Sequence, residues 1–398
     1  MGNRDRFNIR TDIGIQDTRI PRLLAYGPVP PPYGGQAVSF GYLVDGLRNS
    51  TEWRIDVVNV SLKGWQPAQY TVGRAVCTLW FLLITIARLI SVDLFYLTIG
   101  QSLIAFLRDA TLVWVASLLR KKVVAHLDGG AFHELYVGRW PLIRWAVRAT
   151  VRRITRFQVL SEAIKNRCLI IPGMTERIEV VPDGTILPVD VPPKTLPIEG
   201  PIRVLYLSNL MFEKGYTDLI EAATILRARW PDIPVHLDFA GEFVLQKLYF
   251  PSVDAAQEDF WSRIEEGGLT EVISFHGLVT GNKKEQLLRE SQLFVLPTYY
   301  RYEGTPRSIR EALSYGMPVI ATEWSGLPDM VTDEENGFLV PIRSPYAIAE
   351  AITKSVSSNS TYRRLSQGAL ARSLRGLSLE DHLTCMKKSF ALALSSRR

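Results

Sequence analysis

Short apolar runs and longer amphipathic stretches alternate along the first 185 residues of the chain. The runs have the length and the β-branched and aromatic content that are typical of strands. Strands are predicted at Arg22–Tyr26, Arg54–Val60, Leu94–Thr98, Lys122–Leu127, Gln158–Leu160 and Ile178–Val181, and helices between them, for example at Ala37–Leu47 and Leu103–Arg120. Strands that alternate with helices predict an α/β fold with a mostly parallel, doubly wound sheet.

The alternation stops at a proline-rich stretch and then starts again. Prolines cluster around Gly200, at Pro188, Pro192, Pro193, Pro197 and Pro201, which is typical of a linker between domains. Further strands are predicted at Ile202–Leu207, Val235–Ala240, Val272–His276, Leu293–Pro297, Pro318–Ala321 and Glu335–Val340, with helices at Tyr216–Trp230, Glu285–Ser291 and from Tyr346 to the end. We therefore predict an N-terminal domain over residues 1–185, a linker over 186–200, a C-terminal domain over 201–375 and a final segment over 376–398 whose helix could cross back to the first domain.

The most hydrophobic stretch of the chain is Ala75–Ile90, which Arg88 interrupts. It is shorter than the roughly 20 apolar residues that span a bilayer, so it predicts a helix that is either buried or apposed to a membrane. The first residues, Met1–Gln16, are polar and lack the apolar core of a secretory signal. We therefore expect that the protein is not secreted.

Composition narrows the class of protein further. A length of 398 residues exceeds one typical core, and 47% hydrophobic with 22% charged residues is ordinary for a soluble globular protein. The three cysteines are scattered and form no Cys-x-x-Cys pair, which argues against a disulfide framework or a zinc site and fits a reducing compartment. Among the histidines only His126, together with Asp128 and His133, approaches a metal-ligand spacing. We predict no bound metal.

One segment of the second half, between two apolar runs, has a dense pattern of polar residues. It places two carboxylates, Glu303 and Glu311, eight positions apart across the start of a predicted helix. Loops of such strand–loop–helix units face the ligand cleft of a parallel sheet, and the free amides of a helix N-terminus favour anions. We expect Thr305 to cap the helix, Pro306 to occupy its first turn and Glu311 to lie two turns inside. Either Glu alone would also be ordinary on a solvated surface.

The segment Glu303–Thr322 resembles the signature of glycosyltransferase family 4, the retaining glycosyltransferases of the GT-B fold. That signature reads Glu-Gly-x-Pro-x-x-x-x-Glu-Ala-x-x-x-Gly-x-Pro-Val-Ile-Ala-Thr, and the chain matches every fixed position. The resemblance implies that Glu311 holds the ribose hydroxyls of a nucleotide-sugar donor and that Glu303 contacts the transferred sugar. It also implies that the donor phosphates meet the loop and first helical turn, at Gly304, Thr305, Arg307 and Ser308.

A second loop, Ser208–Gly215, follows the first strand of the second half. It resembles the family's Gly-Arg-Leu-x-x-Glu-Lys-Gly loop, whose Arg and Lys contact the donor diphosphate. Lys214 matches, and an ammonium group there would stabilise the charge that is left on the diphosphate when the sugar–phosphate bond breaks. Asn209 stands at the Arg position and offers only a neutral hydrogen bond. Arg307 and Arg310 are candidates for the missing cation.

Two segments of the first half resemble parts of the same family. Gly34 and Gly35 end the loop after the first strand, where adjacent glycines allow unusual dihedral angles and close approach to a ligand, although they also suit an ordinary turn. The segment Val123–Phe132 resembles the strand end at which a His commonly contacts the transferred sugar. Asp128 occupies that position here, and His126 lies on the same face of the strand. We assign Asp128 to sugar or acceptor contact, with His126 either a rival contact or a core histidine.

Two further elements resemble the family near the hinge, the Ser-Glu pair at Ser161 and the Val-Val-Pro-Asp-Gly segment that contains Asp183. Ser161 would alternatively be a simple helix cap. The donor base is expected beside Phe275–Gly277, where the family reads it largely through backbone groups. The sequence therefore does not distinguish uridine, guanosine and adenosine donors.

Residues 139–157 combine an apolar stripe with arginines at every fourth position, Arg144, Arg148, Arg152 and Arg156. Such a basic helix could lie on anionic lipid, where each cation near the surface contributes about 1 kcal/mol. The alternative is a core-facing helix with a solvated basic face. The net charge is +6, but no nucleic-acid-binding module accompanies the pattern, so we expect no nucleic-acid partner.

The resemblance thus predicts two Rossmann-like domains facing across a cleft, in a metal-independent, retaining glycosyltransferase that needs no cofactor. Its partners would be a nucleoside-diphosphate sugar and a glycan or lipid-linked acceptor, in cell-surface polysaccharide or glycolipid synthesis at a cytoplasmic or peripheral inner-membrane location. The alternatives are a GT-B epimerase or phosphorylase, and a non-catalytic nucleotide-sugar-binding protein. Asn209 and Asp128, which depart from the family pattern, suggest the last of these.

Overall fold

The computed structural model describes residues 19–31, 33–61, 72–186, 188 and 190–396. The polar segment Met1–Gln16, on which the secretion prediction rests, lies outside the described residues, as do two positions of the predicted linker. In the part of the chain that is described, no helix is long and apolar enough to cross a membrane.

The first half forms a parallel six-stranded sheet. Its strands are β1 (Arg22–Gly27), β2 (Arg54–Asn59), β3 (Leu94–Thr98), β4 (Lys122–Leu127), β5 (Arg156–Val159) and β6 (Ile178–Val180), in the order β2-β1-β3-β4-β5-β6. The connecting helices are α1 (Gly35–Arg48), α2 (Val72–Leu89), α3 (Leu103–Leu118), α4 (Pro141–Val151) and α5 (Glu162–Cys168), with a 3₁₀ turn at Phe132–Leu135. Helices on both faces leave β1, β3 and β4 almost entirely buried, as continuous apolar strands of parallel sheets require.

The second half repeats this plan. Its strands are β8 (Ile202–Leu207), β9 (Val235–Ala240), β10 (Ile273–Phe275), β11 (Leu293–Leu296), β12 (Val319–Thr322) and β13 (Gly337–Val340), in the order β10-β9-β8-β11-β12-β13. The helices are α6 (Tyr216–Arg229), α7 (Val253–Glu266), α8 (Gly281–Glu290), α9 (Arg307–Ser314), α10 (Pro345–Ser355), α11 (Asn359–Ser373) and α12 (Leu379–Ser395). Three 3₁₀ turns lie at Phe212–Lys214, Thr270–Val272 and Leu327–Asp329. The predicted doubly wound arrangement is thus present in both halves, while α7 had no predicted counterpart.

The last helix, α12, packs against the first sheet. Its Phe390 ring lies 5.5 Å from the Tyr96 ring of β3 and 5.6 Å from the Trp53 ring, measured between centroids. A short parallel ladder between β7 (Gly184–Thr185) and β14 (Leu377–Ser378) joins the chain on either side of the second half. Because α1 and α12 share one core cluster while α2, α3, α4 and α5 contribute to another, the two groups of helices cover opposite faces of the sheet.

The basic segment 139–157 is not one helix, contrary to the prediction. Helix α4 ends at Val151, and Arg156 begins strand β5, where it forms an ion pair with Glu179 at 2.5 Å. The helical spacing of the arginines continues past the helix end, but Phe157 is needed between β4 and β6 and is completely buried. Strand pairing therefore overrides the local period, and β5 starts two residues before its predicted position.

Candidate active site

The loops at the carboxyl ends of β4 and β11 meet between the two halves. Gly129 and Gly304 form an antiparallel bridge across this boundary. A Cβ atom at Gly304 would lie 2.0 Å from the carbonyl oxygen of Asp128, and one at Gly130 would lie 2.7 Å from the carbonyl oxygen of Glu303. Only glycine permits this approach, so the backbone itself brings Asp128 and Glu303 to the same place.

Lys214 and Glu303, which are 89 residues apart in sequence, form a single buried pair. The Lys214 Nζ atom lies 2.5 Å from Glu303 Oε2, and the Thr298 hydroxyl donates a hydrogen bond to the same oxygen at 2.9 Å. Their side chains are only 14% and 8% exposed. The Lys214 ammonium also lies 5.4 Å from the centre of the Tyr300 ring, a cation–π distance. The two loops that resemble the family's donor motifs are thus brought together.

The helix that follows Glu303 begins differently from its prediction. Helix α9 starts at Arg307 with Pro306 at the N-cap position and no side-chain cap. The predicted cap by Thr305 is wrong, because the Thr305 hydroxyl instead accepts a hydrogen bond from Arg310 Nη2 at 2.9 Å. Glu311 lies about one turn inside the helix rather than two.

Glu311 has a partner that the sequence did not indicate. The Lys284 Nζ atom of α8 lies 2.9 Å from Glu311 Oε1. Lys284 is about one-third exposed and Glu311 about one-fifth, so a ligand could reach the pair. Ser308, three residues before Glu311 in the first turn of α9, is half-buried. The helix therefore presents a carboxylate paired with a cation beside its own N-terminal amides.

The two candidates for the cation that Asn209 does not supply, Arg307 and Arg310, donate hydrogen bonds elsewhere. Arg307 Nη1 donates to Ser39 Oγ of α1 at 3.2 Å and to the Gly184 carbonyl oxygen at 3.0 Å. Arg310 donates to the Asp183 carbonyl oxygen at 2.5 Å and to Thr305. Both arginines therefore tie the second half to the hinge and to the first half. Lys214 is the cation that the Ser208–Gly215 loop itself brings to the site.

The glycines at the start of α1 face the same boundary, because Arg307 of α9 contacts Ser39 of α1. Gly34 is the N-cap and has φ −140° and ψ 159°, an extended conformation that any residue adopts. The expected unusual dihedral angles are therefore not found. A Cβ atom at Gly34 or Gly35 would meet nothing within 4 Å, so this N-terminus borders open space.

His126, Asp128 and Asp183 form a polar cluster behind the bridge. His126 Nε2 lies 3.7 Å from Asp128 Oδ1, and one ligand atom from each of the three residues lies within 4.8 Å of the others. His126 is only 3% exposed, and its Nδ1 lies 3.2 Å from Gln158 Oε1. Asp183 was expected only as a hinge residue, and its Pro-Asp-Gly context was the signal for it.

Burial and charge set the protonation of this cluster. Burial, and then the charge of Asp183, raise the pKa of Asp128 well above its ordinary value. Burial alone would raise the pKa of Asp183, but Arg310 and other nearby cations outweigh it and hold that pKa below its ordinary value. Burial likewise lowers the pKa of His126. These shifts favour the protonated form of Asp128, the ionised form of Asp183 and the neutral form of the His126 imidazole.

His126, Asp128 and Asp183 are residue types that bind cations, but the charges around them do not favour a cation. Imidazole and carboxylate oxygens are ligands that several divalent metals accept. The Asp183 charge, however, is already opposed by Arg310, and Arg307 also lies near it. Within the described residues, Asp128 Oδ2 and Asp183 Oδ1 are buried without a hydrogen-bond partner. Such unpaired oxygens suit hydroxyl groups of a ligand, which donate hydrogen bonds without adding charge.

A separate pocket of about 440 Å³ lies between the halves on the Arg310 side of α9. Its lining includes Ser161, Thr305, Arg310, Asp329 and Arg372. Ser161 caps α5 by accepting a hydrogen bond from the Ile164 amide at 3.3 Å, so the prediction that it is a helix cap is confirmed. Thr305, which is expected to meet the donor phosphates, and Arg310, a candidate for the missing cation, line this pocket. The other residues expected to bind the donor, such as Glu311 and Asn209, are not among those that line it.

Comparison with known proteins is consistent with this geometry. Residues 190–372 match the family model described as glycosyl transferases group 1. The amylovoran biosynthesis glycosyltransferase AmsK of Erwinia amylovora is 26% identical over 161 residues, which cover 39% of this chain and 36% of AmsK. The putative colanic acid biosynthesis glycosyltransferase WcaL of Escherichia coli K12 is 30% identical over 156 residues, which cover 38% of this chain and 35% of WcaL. The chain thus spans about two-fifths of the length of the curated relatives that it matches.

Solved structures match over nearly the whole chain. Anabaena Alr3699/HepE, whose crystal structure is in complex with UDP, has a TM-score of 0.70 at 16% identity, with 93% of this chain and 99% of that chain covered. Sucrose-phosphate synthase from Thermosynechococcus elongatus has a TM-score of 0.72 at 18% identity, with 94% and 100% covered. These likenesses confirm the predicted GT-B fold. Residues 190–372 thus resemble the group 1 glycosyltransferases, whereas the solved structures, at 16% and 18% identity, support the fold alone.

Proposed function

We propose that this protein is a retaining glycosyltransferase of the family 4 type, which moves a sugar from a nucleoside-diphosphate sugar to a glycan or lipid-linked acceptor. The observation that carries the proposal is the buried Lys214–Glu303 pair, which lies at the meeting point of the two halves beside the start of α9. The names of AmsK and WcaL, both biosynthesis glycosyltransferases for bacterial polysaccharides, favour the same class of process.

In this proposal the C-terminal half binds the donor. Glu311 would accept hydrogen bonds from the ribose hydroxyls and would exchange part of its contact with Lys284 for them. The phosphates would lie against the amides at the start of α9, at Gly304, Thr305, Arg307 and Ser308, where the helix dipole favours anions. Asn209 would add a neutral hydrogen bond. UDP-sugars are the first donors to test, because the Anabaena neighbour binds UDP.

Donor binding would exchange the partners of the Lys214–Glu303 pair. Without ligand, each side chain neutralises the other at 2.5 Å. With donor, the Lys214 ammonium would turn to the diphosphate and Glu303 would accept hydrogen bonds from the transferred sugar. The exchange gives the Lys214 ammonium an anionic partner and gives the Glu303 carboxylate hydrogen-bond donors, so neither buried group is left without a partner.

The chemical step that we propose is the one that the family resemblance implies. The acceptor hydroxyl attacks the anomeric carbon from the face that the diphosphate leaves, a phosphate oxygen takes the acceptor proton, and the configuration is retained. Lys214 stabilises the departing charge, a contribution that grows as the bond breaks. Burial raises the pKa of Asp128 and so favours its protonated form, which would donate a hydrogen bond to a sugar or acceptor hydroxyl, with His126 behind it. In this proposal the lysine and the helix amides, rather than a metal ion, stabilise the leaving group.

A donor screen tests this function. Purified protein is incubated with uridine, guanosine and adenosine diphosphate sugars, with and without lipid extract, and nucleoside diphosphate release is measured. We expect release from one donor, which Glu311→Gln should reduce through a higher KM. The matched control is Glu350→Gln, which removes the carboxylate of a surface Glu350–Lys354 pair on α10. Nucleotide binding without release from any donor, with or without lipid, would favour the binding-protein alternative and contradict the proposal.

The acceptor side belongs to the N-terminal half. Gly34 and Gly35 border open space at the start of α1, where an acceptor could approach the donor sugar. The basic helix α4, the helical part of residues 139–157, would face an anionic membrane at the inner side of the cell.

A further inference from the structure

Three neighbouring helices of the N-terminal half expose large apolar side chains. Helices α2, α3 and α4 contribute to the same core cluster on one face of the first sheet, so their outer surfaces point away from it in one direction. The exposed residues, which we call the apolar face, are Val76, Leu79, Trp80, Leu83, Ile104, Leu107, Trp140, Leu142 and Trp145. Monomeric soluble proteins rarely expose a contiguous apolar patch of this kind unless it binds something.

Helix α2 shows that this surface is not an ordinary helix exterior. Its inner side packs Phe81 and Leu82 against the core, as expected for an amphipathic helix. Its outer side should then be polar, but it presents Val76, Trp80 and Leu83 at helical spacing, and Trp80 is 62% exposed. A helix that is apolar on all sides is stable where a second apolar medium covers its outer side.

The charges around the apolar face indicate what kind of surface it contacts. Helices α2 and α4 contain no Asp or Glu, and the one carboxylate of α3, Asp109, is completely buried and paired with Arg108. Arg144 and Arg152 are exposed on and just after α4. Apolar side chains with tryptophans and arginines, free of outward carboxylates, complement an anionic bilayer surface. A membrane is therefore favoured over an acidic or neutral soluble protein.

The apolar face reaches the edge of the sheet that carries the candidate site. Helices in a parallel α/β sheet begin at the carboxyl ends of the strands, so α3 and α4 begin at the edge where Asp128 follows β4. Ile104 and Leu107 lie in the first two turns of α3, and Trp140 adjoins the start of α4. The connection is direct, because the Ala131 amide donates to Gln101 Oε1 at 2.7 Å, just before α3.

We infer that the apolar face of α2, α3 and α4 docks on an anionic lipid bilayer, and that the acceptor is a lipid-linked molecule that enters the cleft from the membrane surface. The acceptor part rests on the proposed function, whereas the docking does not. The helices lie on the membrane and insert their outer side chains into the headgroup region. Docking would hold the carboxyl edge of the first sheet close to the plane in which the lipid-linked hydroxyl lies.

Vesicle flotation tests the docking. The full chain is mixed with vesicles of phosphatidylcholine alone or with added phosphatidylglycerol. Trp80→Gln with Leu83→Ser should weaken binding to the anionic vesicles by about tenfold or more, because two apolar side chains lose their burial. Arg144→Gln with Arg152→Gln should weaken it by about fivefold per cation. The matched control, Leu248→Ser with Ile198→Ser, removes two apolar side chains that are even more exposed but belong to the second half and to the predicted linker.

The outcomes separate docking from function. Binding of wild type to anionic vesicles that both face variants lose and the control keeps would establish the surface. Equal flotation of wild type and variants, or none, would overturn it. A wild-type dimer that Trp80→Gln dissociates, without vesicle binding, would overturn it in favour of contact with a second copy.

The acceptor is tested by activity on the same proteins. Nucleoside diphosphate release that lipid extract stimulates in wild type but not in the Trp80→Gln, Leu83→Ser variant would support a lipid-linked acceptor. Full activity of that variant on both lipid and water-soluble acceptors would overturn the acceptor inference. Vesicle binding without any release from a donor would overturn the proposed function and leave the docking intact.

Discussion

Removal of Lys214 should cost both stability and turnover, because Lys214 is the one cation paired with Glu303 among the described residues. In Lys214→Ala, the Glu303 carboxylate keeps the Thr298 hydroxyl bond, at 2.9 Å, as its one side-chain hydrogen bond from the described residues, in a position that is 8% exposed. Breaking a buried ion pair costs about 3–5 kcal/mol, since one charge stays desolvated and unpaired. Residual access of solvent at Lys214, which is 14% exposed, lowers our expectation to about 2–4 kcal/mol.

A double variant distinguishes the effect of removing both charges from the effect of removing one. Lys214→Met with Glu303→Gln removes both charges and keeps similar volumes, and the glutamine can still accept from Thr298. It should recover at least half of the stability that Lys214→Ala loses, because no buried charge remains. It should not recover activity, because the leaving diphosphate still lacks its cation, a loss of about 10²–10³ in kcat.

Urea unfolding followed by tryptophan fluorescence measures the first effect, and donor turnover well below the unfolding temperature measures the second. Circular dichroism of each variant before unfolding serves as the check that the fold is retained. Unfolding midpoints of Lys214→Ala equal to wild type would refute the buried pair as described. A double variant that is no more stable than Lys214→Ala would refute the argument from an unpaired charge.

Two further predictions concern the boundary between the halves. Asp128→Asn should change stability little at low pH but should stabilise the protein increasingly as the pH rises above about 4, because burial raises the pKa of this carboxyl and so penalises its ionisation in the folded state. Melting temperatures from acid to neutral pH check this, and a pH-independent difference would contradict it. Gly304→Ala should separate the two halves, because its Cβ would lie 2.0 Å from the Asp128 carbonyl oxygen. Small-angle scattering should then show a larger radius of gyration than wild type, whereas Gly35→Ala, which adds its methyl group in open space, should not.

The Asp128 prediction depends on the sign of each shift in the cluster. Asp128 has a raised pKa, so its ionisation destabilises the fold as the pH rises. Asp183 has a lowered pKa, so its contribution is present at neutral pH and is lost in acid. The pKa of His126 is also lowered, so its contribution to stability is lost as the pH falls below the ordinary pKa of histidine. Only Asp128 therefore gives a variant that gains stability towards neutral pH.

Much of the architecture was readable from local pattern. Strands β3, β4, β8 and β9 begin and end at their predicted residues, because strands buried on both faces require continuous apolar runs. Where a strand is short and its flanks are basic, the pattern misled. The arginine spacing predicted a helix through Phe157, yet β5 begins at Arg156. The energy that decides this boundary comes from pairing with β4 and β6, which no local window contains.

The chemistry of the site divides in the same way. The sequence by itself identified the two loops that carry the candidate residues, the loop after β8 with Lys214 and the segment at the start of α9 with Glu303 and Glu311. The second of these segments matches a pattern that extends over twenty consecutive positions. Only the tertiary structure decided their partners, such as Lys284 for Glu311 and Asp183 beside Asp128. It also decided that Thr305 binds Arg310 instead of capping its helix. The physical reason is one of range, because residue identity and helical period act over a few positions. Burial, the pairing of charges and the approach of two glycine backbones instead depend on the order of strands in the sheets. That order brings together segments that are tens to hundreds of residues apart.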